Sequence, residues 1–161
     1  MNTLVTIPTV LALLGSLIIA GVFFAFSSFV MRALAHIPAA QGVRAMQSIN
    51  VMVINRSFLG VFMGTAILSL VAFGLAAFHP GQPATPYLLA AAGAYVLGTF
   101  GVTVLFNVPL NDRLAATSLT QQAALDTWNH YLKRWTLWNH LRTGAAILAA
   151  LLYLAALLQP L

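Results

Sequence analysis

The sequence predicts an all-α fold: an integral membrane four-helix bundle with an amphipathic interfacial helix before the second and the fourth span. Three observations carry this. Of 161 residues, 61% are hydrophobic and 6% charged, with a mean hydropathy of +0.93; a soluble chain of this length has too little interior to hide so much apolar surface. The apolar residues fall into four runs, each long enough to cross a hydrocarbon core of roughly 30 Å. Most of the prolines and the basic residues fall between those runs or at their ends. One bundle is the natural unit at this length, so a single transmembrane domain over 1–161 is expected.

The first span is expected over about 4–31. Gly15, Ala20, Gly21 and Ala25 give it small surfaces for close helix packing. Met1-Asn2-Thr3 has no basic n-region, and the apolar run is too long for a cleaved leader, so the span is expected to be retained. Its aromatic end, GVFFAFSSFVMRAL, suits packing better than a cofactor box. His36-Ile37-Pro38 ends the helix, because the residue before proline disfavours the helical region. Pro38 suits the first turn of a second helix, expected as one piece from Ala39 to Phe78. That helix starts amphipathically and becomes a span over about 50–78. Asn50 and Asn55 lie about 140° apart on it, so they cannot face one neighbour squarely.

The stretch from His79 to Pro86 is a turn on proline and glycine grounds. The third span follows over about 87–108. Tyr95, Thr99, Thr103, Asn107 and Asn111 recur at i, i+4, a polar stripe along one face. Pro109 removes a helical hydrogen bond, so a kink is expected beside the two asparagines. Ser118-Leu119-Thr120-Gln121 is a plausible start for the next helix, which runs through Trp128 to a fourth span over about 141–158.

Arg32, Arg44 and Arg56 flank the first loop, and Arg113, Lys133, Arg134 and Arg142 the third; the second has no Lys or Arg. The positive-inside rule then puts loops one and three in the cytoplasm and both termini outside, in a plasma membrane of bacterial type. The net charge of +5 is explained by helix ends, so no nucleic-acid partner is expected. Nearly every candidate polar residue gathers at the cytoplasmic end.

The polar residues concentrate in Trp128–Arg142, WNHYLKRWTLWNHLR, which holds all three tryptophans and two of the four histidines. On an unbroken helix Trp128, Tyr131, Trp135, Trp138, Asn139 and Arg142 share a sector of roughly 100°. Alanines continue that sector and leucines oppose it, so Asn139 and Arg142 are expected to point inward. His140 lies about 160° from Arg142, on the leucine side. Both reach one substrate only if the helix breaks near Trp138 or another element covers His140.

There is no cysteine, which removes thiolate chemistry and ligation. His130 and His140 are ten residues apart, with no HxxxH or ExxH, so no metal-ligand set is assigned. Paired carboxylates, a nucleophile elbow and a phosphate-binding glycine loop are absent; the two acids, Asp112 and Asp126, are expected in a loop. Imidazoles, amides, one arginine and an aromatic lining remain. That set suits proton abstraction from an apolar, weakly acidic molecule and stabilisation of the resulting anion.

The pieces GVFFAFSSFVM, AMQSINVMVINRSF, FNVPLNDRL and WNHYLKRWTLWNHLR occur in this order. With this spacing the chain resembles the DUF1772 family of small four-helix membrane proteins, which includes the anthrone oxygenases of aromatic polyketide pathways. The resemblance implies oxidation of an anthrone-like phenolic to a quinone with molecular oxygen. Carried onto this chain, it gives His140 as base and Arg142 with Asn107 as oxyanion stabilisers, with Asn139 beside them in the same motif. Trp135 and Trp138 become ring-stacking walls. Asn50, Asn55, Asn111, Thr103 and Tyr131 complete a substrate-binding set. The expected partners are an apolar aromatic small molecule, molecular oxygen and membrane lipid. An anthrone carbanion can itself reduce oxygen, so no cofactor is required by this reading; iron, copper and haem stay open.

Two other classes remain open on the residues. One is a non-enzymatic bundle that binds or passes a small molecule, lipid or quinone along the third-helix stripe. The other is an accessory membrane subunit whose tryptophan-rich helix is an anchor. Glycine-rich faces also allow a homo-oligomer.

Overall fold

The computed structural model describes residues 3–117 and 121–159, with the side chains of 121–123 excepted. Among them there are helices and turns and no strand. Helix α1 spans Thr3–Ala35, α2 Ala39–Met52, α3 Arg56–Ala77, α4 Thr85–Ala115 and α5 Gln121–Leu157. Four of them (α1, α3, α4 and the Ala124–Leu157 part of α5) are long and apolar enough to cross a membrane. The protein is an integral membrane protein built as an all-α bundle.

The four spans form a ring in which α1 packs on α3 and α5, and α4 on α3 and α5. Helix α2 caps one end, against α5 and the last turns of α4. Two apolar cores result. One fills the ring, with Ile19, Phe23, Phe62, Leu88, Tyr95 and Tyr153. The other lies under α2, with Val43, Met46, Leu114, Trp128, Tyr131 and Trp135.

The chain between 39 and 78 is two helices rather than the single one expected. Asn55 breaks it: its backbone is extended and its side chain accepts from the Phe58 amide at 3.0 Å, an N-cap. The cap overrides the hydrophobic continuity of the stretch. Asn55→Ala should cost about 1 kcal/mol of stability with ligand affinity unchanged, as thermal unfolding and titration in detergent would show. The first and third spans run several residues further than expected, to Ala35 and Ala115. Thr85 and Pro86, expected in the second turn, open α4, where proline suits the first helical turn. The interfacial stretch and the fourth span are continuous in α5, whose 37 residues extend about 55 Å. Of the expected helix start, Ser118, Leu119 and Thr120 lie outside the described residues.

Three segments wind as wide π-helical turns: Phe26–Val30 in α1, and Ala94–Gly101 and Thr103–Asn107 in α4. The last precedes Pro109, whose missing N–H leaves the α-helical ladder one bond short. These turns matter for the polar stripe. In an unbroken α-helix, i+4 spacing drifts about 40° per step, about 160° from Tyr95 to Asn111. The wider turns take up that drift. Tyr95, Thr99 and Asn107 are consequently all buried, and Thr103 and Asn111 half-buried, along the inner face.

Small residues set the helix separations. A Cβ at Gly98 would stand 2.6 Å from the Ala145 Cβ, so α4 and α5 meet there without room for a methyl group. Gly98→Val should lower stability by about 1–3 kcal/mol, read as a drop in melting temperature. Gly64→Ala is the control, because nothing lies within 4 Å of the added carbon and alanine favours a helix interior.

Candidate functional site

The site grows from Arg142. Its position on α5 puts it on the alanine side of the helix, which faces the ring, while Leu141, Ile147, Leu148, Leu151 and Leu154 are exposed outward. Arg142 is 5% exposed, a costly place for a cation. Its Nε and one terminal nitrogen donate to Asn139 Oδ1 at 3.0 and 2.9 Å. The other terminal nitrogen donates to Thr103 Oγ1 at 3.4 Å. The guanidinium carbon lies 3.9 Å from the Phe23 ring centroid and 4.8 Å from that of Trp135, so two aromatic faces hold the charge. A guanidinium has five N–H groups, and these bonds engage three.

Asn139 ties this cation to α1. It is fully buried, and its Nδ2 donates to the Phe23 carbonyl at 2.8 Å and to Ser27 Oγ at 2.7 Å. One amide thus joins the π-helical end of α1 to the guanidinium. Thr143 accompanies it, bonded to the Asn139 carbonyl and to Ser27.

Asn111 comes from the last turns of α4. Its Oδ1 accepts from Tyr131 OH at 2.8 Å and from Trp135 Nε1 at 2.9 Å. Both bonds use the oxygen and so fix the Nδ2 on the other side. Tyr131 and Trp135 are positioned by stacking: Trp128, Tyr131 and Trp135 form a ladder along α5 at 5.8 and 5.9 Å. Its first ring presses on Gly42, where a Cβ would stand 2.6 Å from the indole.

A cavity of about 540 Å³ lies between these groups and α2 and α3, within the range of small-molecule sites. Arg142, Asn50, Asn111, Thr103 and Trp135 line it, with an otherwise mostly apolar wall that includes Phe23, Phe62, Phe100 and Met46. The Asn50 Nδ2 is buried and has no hydrogen-bond partner. The cavity therefore presents three nitrogen donor groups, from Arg142, Asn111 and Asn50, within an apolar wall. Such a set favours an anionic oxygen on an otherwise apolar ligand.

Among residues named from sequence, five line this cavity and six do not. Asn139 and Tyr131 stand directly behind it, holding Arg142 and Asn111. Asn107 is fully buried, and its Nδ2 reaches the Trp135 carbonyl at 3.3 Å rather than the cavity. Asn55 is exposed and caps α3. Trp138 stacks on Phe106 at 3.9 Å, away from the lining. His140 is exposed on the outer face, because α5 passes through Trp138 without a break. Sequence reasoning missed Phe23, Phe62, Gln47 and Asp112. Phe23 had a legible signal in the aromatic run ahead of Ser27, and Gln47 in the helix face it shares with Asn50. Among the described residues, no three His, Asp or Glu side chains come together as a metal-binding group.

A family model described as anthrone oxygenase matches residues 52–152, well over half of the chain. The chain belongs to the anthrone oxygenase family. The match spans α3, α4 and most of α5, and so covers Thr103, Asn111, Trp135, Asn139 and Arg142. The part of the cavity that this anthrone oxygenase family member builds from α1 and α2, with Phe23 and Asn50, lies before the matched residues. No curated protein and no solved structure matches the chain significantly.

Proposed function

We propose that this protein is a membrane-embedded oxygenase that converts an apolar phenolic or polyketide-type anthrone to a quinone with molecular oxygen. The observation that carries the reading is Arg142: a buried cation with no described carboxylate paired to it, aimed into an apolar cavity beside two amide donors. Deprotonating an anthrone places negative charge on its ketone oxygen. Fixed donors in an apolar cavity stabilise that charge far more than donors in bulk water would. Trp135 and Phe23 supply flat apolar walls for a fused ring.

Against a transport path stands the use of the α4 stripe. Tyr95 donates to the Phe62 carbonyl, Thr99 to the Arg142 carbonyl and Asn107 to the Trp135 carbonyl. Those groups join helices, which leaves them unavailable to a passing solute.

The test is oxygen uptake by purified protein with a hydroxylated anthrone, corrected for spontaneous oxidation. One oxygen consumed per quinone formed, dependent on protein, is the expected result. Quinone binding without turnover would make this a binding protein. His140→Ala should leave turnover within about twofold of wild type, since surface changes away from a site act weakly.

The basic residues support loops one and three in the cytoplasm, both termini outside, and the cavity near the cytoplasmic end of a bacterial-type plasma membrane. The chain has no cysteine, which makes single-cysteine labelling clean. Gln82→Cys should react with an impermeant maleimide on intact cells, and Ala116→Cys only after lysis. The reverse pattern would invert the topology.

A further inference from the structure

The oxygenase reading needs a base, and the outward His140 does not reach the cavity. His36 and His130 are likewise exposed and absent from its lining, and His79 sits in the turn at the far end of α3. The cavity lining nevertheless includes one acidic residue, Asp112. We infer that Asp112 is the catalytic base, taking the ring methylene proton from the substrate whose ketone oxygen Arg142 holds. This assignment rests on the oxygenase reading.

Three features of Asp112 suit the task. Among the described residues, no side-chain hydrogen bond or ion pair engages its carboxylate. It follows Asn111, whose amide is fixed by Tyr131 and Trp135, so the backbone that carries it is well placed. It is also exposed, at the end of α4 where Arg113 follows. A proton collected there passes on to water, which regenerates the base. Asp112 lies nine residues beyond Thr103, the Arg142 partner, or roughly 13 Å along the helix. The ketone oxygen and the methylene carbon of an anthrone face each other across one six-membered ring, so the Arg142 and Asp112 side chains, both in the cavity lining, must cover the rest of that separation.

The chemistry balances with dioxygen as the oxidant. The methylene C–H bond breaks, its proton passes to an Asp112 oxygen, and the electron pair delocalises onto the ketone oxygen. Dioxygen takes up electrons from this enolate and bonds to the former methylene carbon. A proton from water completes the hydroperoxide. Loss of the second C–H proton with cleavage of the O–O bond leaves a carbonyl and releases one water. One oxygen atom ends in the quinone and the other in water.

The experiment separates proton removal from oxygen chemistry. Under anaerobic conditions in deuterated water, protein-dependent exchange of the anthrone methylene is followed for wild type, Asp112→Asn and Asp112→Glu. Binding of the corresponding quinone is measured by quenching of tryptophan emission. Asp112→Asn should lower exchange about 100-fold or more, with the quinone Kd within threefold of wild type, and Asp112→Glu should recover part of the exchange. Wild-type exchange in Asp112→Asn overturns the assignment, as does a loss of quinone binding that matches the loss of exchange. A wild type that exchanges but consumes no oxygen overturns the oxygenase reading and leaves Asp112 as a base. A wild type that does neither overturns both.

Discussion

Arg142→Met is expected to lower protein-dependent turnover by about 10²–10³-fold without lowering the melting temperature appreciably. The two halves of this result have one cause. The guanidinium is 5% exposed and faces neutral partners: the Asn139 and Thr103 oxygens and two aromatic rings. Desolvating a cation without a counter-charge costs several kcal/mol, so removing the charge returns much of what its hydrogen bonds contributed. Methionine fills similar space with an apolar, adaptable side chain. Stability should therefore stay within about 1 kcal/mol of wild type. Arg142→Lys keeps the charge but loses the planar fork that meets Asn139 at two nitrogens, and turnover should stay well below wild type. Wild-type turnover in Arg142→Met would remove the cation from the mechanism. A large loss of melting temperature would make it a structural tie.

Asn139→Leu should have the opposite profile and the largest effect on folding. It removes two donor bonds to α1, at Phe23 and Ser27, and both acceptor bonds to Arg142. The arginine is left charged and buried with one hydrogen bond, at 3.4 Å to Thr103, beside the two aromatic rings. A buried charge deprived of its partner typically costs about 3–5 kcal/mol, which thermal unfolding in detergent would register directly. Asn139→Asp should recover stability by restoring an acceptor. The double variant Asn139→Leu with Arg142→Met should be more stable than the sum of the single effects by about 0.5–3 kcal/mol, because the orphaned charge is gone. Strict additivity would mean that the two side chains act independently, contrary to their geometry.

Much of this site was legible in local periodicity. The 3.6-residue repeat of α5 placed Trp135, Asn139 and Arg142 with the alanines, and their burial follows that phase. The same repeat put His140 among the leucines, and it is exposed. The i, i+4 spacing on α4 was visible as a stripe. What spacing could not say is where the stripe goes, because three π-helical segments reset the phase of α1 and α4. Asn55 shows a second limit. Its capping role was available in the sequence as an asparagine three residues before Phe58, but the apolar residues around it masked the break. Asp112 shows a third. As one of two acids near basic residues it read as a loop marker, since nothing local tells a rim carboxylate from a solvated one.

The sequence by itself therefore determined the class of molecule: an all-α membrane bundle with four spans and one polar cluster, because hydropathy and helical period are properties of neighbouring residues. Only the tertiary structure decided which polar groups share a cavity. Arg142 comes from α5, Asn111 and Asp112 from the end of α4 and Asn50 from α2, and Phe23 of α1 closes the cluster. Their meeting depends on helix phase, on Asn139 tying α1 to α5, and on Asn55 ending α2 where it can cap the bundle. Each of these is set by packing between segments far apart in the chain.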